Sequence, residues 1–358
     1  MTSGNSTLPL VSICINNYNY ARFLGAAIES CLAQTYERIE TIVVDDGSTD
    51  DSREVLASFG DRIRVLLQGN KGQSAAVNAG VREATGDIVV LLDADDVLLA
   101  DTVSRAVDAF SRDDKLVRLQ WQLELMTEGG VPSGRVIPSD GWSLPTGDLR
   151  RHALRYRTYV WNPTSASAYR MRVLLEVLPV PESTYARSTG PDLYLSETVV
   201  LLGSVGVLDG VGGYYRIHGV NASTVQRDDE VAWLRVKVDE ILSGHEHVRT
   251  LAGRTGRTDC PQDARQARDW AFAAYRLALL RLDATRYPLR GDSVLSVARH
   301  GVVSSLTHPH LTARQRLKRA SWFVLVAIAP VARVPELNRR MFHASPERQL
   351  AAEQNSMA

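Results

Sequence analysis

The sequence predicts an α/β protein: a Rossmann-like, mostly parallel sheet flanked by helices, followed by a C-terminal helical region. Three observations predict it. Short apolar runs alternate with helical periodicity over the first hundred residues, as βα repeats require. Two of those runs, 41–44 and 88–92, lead directly into acidic clusters, Val44-Asp45-Asp46-Gly47-Ser48-Thr49-Asp50 and Leu91-Leu92-Asp93-Ala94-Asp95-Asp96. Beyond residue 228 the strand signals give way to helical ones.

Residues 11–15 read as a first buried strand, since uninterrupted apolar runs suit a sheet covered on both faces. Helical periodicity follows over 23–34, through Leu24, Ile28, Cys31 and Leu32. The second strand is 40–44. A helix over 52–59 comes next, with Asp50 or Asp51 as its N-cap. Residues 63–68 make a third strand, 72–84 an alanine-rich helix, 88–92 a fourth strand and 100–110 another helix. Right-handed crossovers then give a parallel sheet. After 113 the pattern changes: a longer strand over 116–126, a Gly129-Gly130 turn and a strand over 133–137 read as a hairpin. Helices are expected at 147–155, 171–178 and 192–201, and two short strands at 205–208 and 213–217. The remainder is helical over 231–251, 264–282 and 293–306. The polar stretch Gln226-Arg227-Asp228-Asp229 sets the expected division, residues 1–226 against 227–358.

Composition bounds the function. The 358 residues carry 41 basic and 41 acidic side chains, so no global field points to nucleic acid. Cys14, Cys31 and Cys260 are odd in number and lack metal-ligand spacing, so small buried hydrophobes are expected rather than disulfides. No signal peptide is visible. The longest apolar run, 320–332, is interrupted by Pro330 and falls short of the roughly 20 residues that span a bilayer. The expectation is a cytoplasmic protein, soluble or peripheral at the inner face of the cell membrane.

Both acidic clusters stand where strands end, and open α/β sheets bind ligands outside the carboxyl ends of their strands. Converging carboxylates repel unless a cation relieves them. A divalent metal holding a nucleotide diphosphate suits that geometry.

The motifs Val11-Ser12-Ile13, Tyr18-Asn19, Gln34-Thr35-Tyr36, Val44–Asp50 as written above, Asn70-Lys71-Gly72, Asn78-Ala79-Gly80, Gly86-Asp87 and Leu92-Asp93-Ala94-Asp95-Asp96 occur in order. Over roughly residues 9–225 the chain resembles the family 2 glycosyltransferases, a large inverting family with the GT-A fold. That resemblance implies roles. Asp46 becomes the uracil contact, a carboxylate accepting the imide N–H, while Asp45 orients the turn; alone, the motif would read as an Asp-Gly turn with a helix cap. Asn16 and Tyr18, closing the first strand, join the nucleotide-binding residues. Asp93 falls to the ribose or metal shell and Asp95 to Mg²⁺ or Mn²⁺, with Asp96 a second ligand. Which of Asp95 and Asp96 binds metal directly stays open, and an Asp-rich loop capping the next helix, with Asp101, is the structural alternative.

Lys71, where a helix opens, either adds charge beside a phosphate or is a solvated lysine at a capping turn. Asn78 and Gly80 serve helix packing and loop contact. In Gly190-Pro191-Asp192-Leu193-Tyr194-Leu195, Asp192 takes the place of the general base, with Pro191 standing where many members carry Glu; Glu197 is the reserve. His218, in Tyr215-Arg216-Ile217-His218-Gly219, is either a metal ligand near the diphosphate or structural. Arg216 pairs with a carboxylate or phosphate, and Trp161 either stacks on a sugar or fills core.

The last helices carry basic residues around the apolar run 322–326: Arg314, Arg316, Lys318 and Arg319 before it, Arg333, Arg339 and Arg340 after. Such a stretch lies on an anionic membrane, packs on the catalytic domain or joins copies. The reading is a metal-dependent inverting glycosyltransferase with a nucleotide-sugar donor, UDP by default with dTDP or GDP open. Its acceptor is a carbohydrate or lipid-linked glycan of bacterial-type surface polysaccharide. A sugar nucleotidyltransferase would need a Gly-rich basic loop where this chain has Asn16-Asn17-Tyr18-Asn19-Tyr20. A non-catalytic scaffold stands against retention of Asp46, Asp93, Asp95 and Asp192.

Overall fold

A computed structural model describes residues 8–138, 144–157, 163–182, 190–219, 229–257 and 259–342. Two compact units share the chain. The first comprises Met1–Asp140, Thr146–Asp148 and Trp161–Arg216; the second comprises Gly141–Pro145, Leu149–Val160 and Ile217–Ala358. The expected boundary near 226 falls outside the described residues, and the division comes earlier, at Arg216.

In the first unit, β1 (Val11–Asn17), α1 (Ala21–Leu32), β2 (Ile39–Asp45), α2 (Ser52–Phe59), β3 (Arg64–Leu67), α3 (Gln73–Glu83) and β4 (Ile88–Asp93) follow in sequence. The strands pair in parallel in the order β3-β2-β1-β4. Their cores, Ile13, Ile15, Ile42, Val43 and Val89 to Leu92, are essentially inaccessible to water. Each such aliphatic side chain contributes about 1.5–3 kcal/mol on burial. Register does the work that matters here: Asn17 lies opposite Asp45 and Asn16 opposite Asp93, so three strands end level.

The later strands mix directions. They are β5 (Val97–Leu98), β6 (Leu116–Met126), β7 (Pro132–Ile137), β8 (Ser167–Arg170) and β9 (Ser204–Arg216), interspersed with α4 (Thr102–Arg112), α6 (Met171–Val177) and α7 (Gly190–Val199); α5 (Arg150–Tyr156) belongs to the second unit. Strand β8 runs antiparallel between β4 and β6, and β9 pairs parallel with β6 and antiparallel with β5. The hairpin β6–β7 forms as expected. The two strands expected at 205–208 and 213–217 are one. Their apparent break, Asp209-Gly210, is a bulged stretch where the β6 pairing shifts register. At Gly212 a Cβ would meet the Trp121 ring at 2.5 Å, so glycine marks close approach rather than a strand end.

The second unit adds α8 (Glu230–Arg254), α9 (Trp270–Leu282), α10 (Val294–Thr307), α11 (Ala313–Ile328) and α12 (Val334–Phe342). Asp269 accepts from the Phe272 N–H and starts α9 there, which splits the helix expected over 264–282. Ser293 with Ser296, and Thr312 with Gln315, form capping boxes for α10 and α11, each fixing otherwise orphaned N–H groups. Phe323, Val326, Leu277 and Val297 form one buried cluster, Leu234, Val238, Phe272 and Leu279 another. Among the described residues no helix is long and apolar enough to cross a membrane. The three cysteines are buried free thiols; burial pushes Cys31 up to about 12 and Cys14 further, which leaves both inert.

Candidate functional site

The two acidic clusters separate into different jobs. At the end of β2, Asp45 is fully buried and turns back. It accepts from Asn17 Nδ2 at 2.9 Å, from the Ser48 N–H at 3.2 Å and from the Ser48 hydroxyl. Gly47 completes the turn at φ 79°, and a Cβ there would stand 2.7 Å from the Asn70 nitrogen. Asp46 turns the other way. Its carboxylate accepts from Gln68 Nε2 at 2.7 Å and from the N–H groups of Lys71 and Gly72 at 2.9 and 2.7 Å. Asp46 therefore anchors the segment that opens α3, through bonds worth about 1.5–3 kcal/mol each when the acceptor is charged. Lys71 meets it through its backbone, and its own side chain is exposed.

At the end of β4, Asp93, Asp95 and Asp96 each offer a carboxylate oxygen, all within 4.8 Å of one another; among the described residues no other such group of ligands occurs. Two full charges at that separation repel by about 3 kcal/mol at an effective dielectric constant near 20. Neutral donors surround them. Asn16 Nδ2 and Gln73 Nε2 reach Asp93 Oδ1 at 2.9 and 2.7 Å. The Ser165 hydroxyl donates to Asp96 at 2.6 Å, and the Arg216 N–H donates to the same carboxylate at 3.0 Å. The Arg216 guanidinium spends its bonds on the carbonyls of Asp95 and Glu128, with the Phe23 ring beneath it.

Burial, then the charge of Asp95, raises Asp93 to about 7. Burial and both neighbouring carboxylates hold Asp96 well above the ordinary range. The same three charges, after burial, push the Tyr20 phenol upward. Clustered oxygen ligands that cannot all ionise unaided are the donor set a hard divalent cation relieves. The residues fit Mg²⁺ or Mn²⁺, and Asp93 stands in the ligand group itself.

Asp192 lies in the first turn of α7, half-buried, with its Oδ1 accepting from the Leu193 N–H at 2.9 Å. Helix α7 packs against α3, α6 and the 3₁₀ turn Thr164–Ala166 that carries Ser165. Asn78 ties in the preceding segment: its Nδ2 donates to the Val180 carbonyl at 2.8 Å and its Oδ1 accepts from the Val180 N–H at 2.7 Å. Glu197 is buried within α7. At Gly80 a Cβ would come to 3.3 Å from both Cys14 and Val44, so its role is helix-to-sheet packing. Tyr18 is 44% exposed beside Asn19, whose φ of 58° turns the chain after β1. His218 is buried, two residues beyond Arg216, whose N–H donates to Asp96. Trp161 lies outside the described residues. Sequence reasoning missed Gln73, Ser165 and Tyr20. Gln73 follows the Asn70-Lys71-Gly72 motif, and Tyr20 closes Asn16-Asn17-Tyr18-Asn19-Tyr20. Ser165 closes Trp161-Asn162-Pro163-Thr164-Ser165, a segment that the family resemblance places along the sugar pocket; its contact with Asp96 comes from the fold.

The Glycosyl transferase family 2 profile matches residues 12–177. The chain carries a family 2 glycosyltransferase domain. An uncharacterised glycosyltransferase of Nostoc sp. is 38% identical over 217 residues, covering 59% of this chain and 66% of that protein. One of Rickettsia prowazekii is 38% identical over 142 residues, covering 39% of this chain and 45% of that protein. The chain thus spans just under two thirds of the first relative and under half of the second. Among solved structures, S. aureus TarS 1-349 in complex with UDP-GlcNAc aligns over 88% of this chain and 90% of that one, at 15% identity and a TM-score of 0.52. That likeness shows the GT-A fold, a curled sheet flanked by helices with a helical C-terminal region.

Proposed function

We propose that this chain transfers a glycosyl group from a nucleotide-diphosphate sugar to a hydroxyl acceptor, with inversion at the anomeric carbon. The observation that carries the reading is the group of three carboxylates at the end of β4, set level with the Asp46 loop inside a family 2 glycosyltransferase domain. UDP-sugar is the proposed donor. TarS, which shares the fold, binds UDP-GlcNAc, and a carboxylate with an oxygen lone pair to spare, as at Asp46, accepts the uracil imide N–H. Asn16 and Tyr18 border that position, and Lys71 lies beside it.

Asp95 and Asp96, with Asp93 beside them, would hold a divalent cation, which would neutralise charge on the departing diphosphate. Asp192 takes the proton of the acceptor hydroxyl as its oxygen attacks the anomeric carbon. The new C–O bond forms on the face opposite the one where the bond to the diphosphate breaks. His218, two residues beyond the Arg216 N–H that donates to Asp96, is not among the three side chains grouped as ligands, and no step is assigned to it. The proposed acceptor is a carbohydrate or lipid-linked glycan of surface polysaccharide, as the family resemblance implies.

The test is Asp192→Asn. Loss of a general base costs about 10²–10⁴-fold in turnover, and nucleotide affinity by calorimetry should stay as in the wild type. Turnover within tenfold of wild type would remove Asp192 from the role.

A further inference from the structure

Helix α11 is apolar on two faces, and its core accounts for only one. Ala320, Trp322, Phe323 and Val326 are buried against the rest of the second unit. Arg314, Leu317, Lys318, Ser321, Val324, Leu325 and Ile328 recur at three- and four-residue spacing and line the opposite face, which is exposed. Leu317 and Ile328 are 65% and 75% exposed, and Val331 beyond the helix end is 51% exposed. Contiguous apolar side chains left in water mark an interaction surface.

The charge around this face says what covers it. Residues 313–342 hold seven basic side chains and one acidic, Glu336, in a chain whose total charge is balanced. Glu336 is paired with Arg340. Arg319 turns inward over the Trp270 ring, whereas Arg314, Lys318, Arg333, Arg339 and Arg340 are exposed. A groove of about 540 Å³ opens beside the helix end, with Leu325, Ile328 and Leu337 as apolar wall and Arg333 and Arg340 at its edge. A second protein would have to be both apolar and acidic to match. A bilayer bearing anionic headgroups supplies both in one plane, with acyl chains below and phosphates above.

We propose that the exposed face of α11, together with α12, docks on an anionic lipid surface, with Leu317, Val324, Leu325 and Ile328 entering the headgroup boundary and the five exposed cations on the phosphates. The docking is independent of the proposed transfer chemistry.

The test is sedimentation of the full chain with vesicles of phosphatidylcholine, with and without phosphatidylglycerol, at low and high salt. Binding should appear with the anionic lipid, fade at high salt as the Debye length shortens, and fall about tenfold or more in Leu325→Ser/Ile328→Ser through lost apolar burial. Arg314→Gln/Lys318→Gln should weaken binding to anionic vesicles alone. Unchanged melting temperatures show that the variants fold; if the serine pair unfolds, the glutamine pair carries the test. Failure to sediment with anionic vesicles, binding unaffected by the glutamine pair, or a dimer in light scattering that Ile328→Ser dissolves would overturn the proposal.

Discussion

Asp93 is where the chemistry and the stability of the site meet. Its carboxyl is raised to about 7 by burial and by Asp95, so without a cation the folded state holds a proton that the unfolded chain has released. Stability then falls as pH rises from the ordinary carboxylate value through about 7. Melting in EDTA between pH 5 and 7.5, read against Asp93→Asn, should show that fall, which levels off above about 7. Asp93→Asn should flatten it, and Mn²⁺ should restore the wild type at pH 8 by about 2.7 kcal/mol at a hundredfold excess over Kd. A pH dependence in EDTA that Asp93→Asn leaves unchanged would contradict the assignment. The three aspartates were legible because they follow one another at a strand end. Ser165 was legible only as the end of a pocket-lining segment, since nothing local tells that its hydroxyl reaches Asp96, 69 residues away.

At the scale of elements, the site rests on turns that admit few alternatives. Gly47 combines a left-handed φ with a Cβ position 2.7 Å from the Asn70 nitrogen. Gly47→Ala should therefore cost about 1–3 kcal/mol of stability and weaken nucleotide binding, because the displaced loop is the one leading to Lys71 and Gly72 that Asp46 anchors. Thermal melting and calorimetry on the same sample check both. The parallel strands β1, β2 and β4 could be read from sequence because burial on both faces makes them continuous apolar runs. Strands β5 and β8 could not. Two and four residues long, they are held by pairing partners 115–117 and about 80 residues away in sequence, and pairing leaves no mark on so short a segment. In β9, glycines that signal turns elsewhere serve a bulge at Gly210 and a close approach to Trp121 at Gly212.

Across the whole chain the balanced charge conceals two regimes: acidic chemistry in the first unit and a basic, lipid-suited face in the second. The second unit also carries an acid-sensitive contact. His245 is buried beside Arg157, whose Nη1 lies 2.9 Å from its Nδ1, and burial followed by that positive charge lowers it to about 4. Its neutral form is the folded one, so its contribution is full above about pH 6.5 and is lost as pH falls toward 4. The loss is read as the stability difference between wild type and His245→Gln, which should narrow as melting is followed from pH 7 down to 4.5. The division between units was only partly legible. Polarity pointed to residue 226, whereas the division comes where β9 ends, at Arg216, and α5 belongs with the later helices. Long-range assembly, not composition, sets that boundary. The central claim is metal-dependent binding of a nucleotide diphosphate at the end of β4, tested most directly by calorimetric titration of UDP, dTDP and GDP with Mn²⁺ and with EDTA. The account predicts heat of binding for UDP with Mn²⁺ that is lost in EDTA and in Asp95→Ala/Asp96→Ala; binding of none of the three with Mn²⁺ would contradict it.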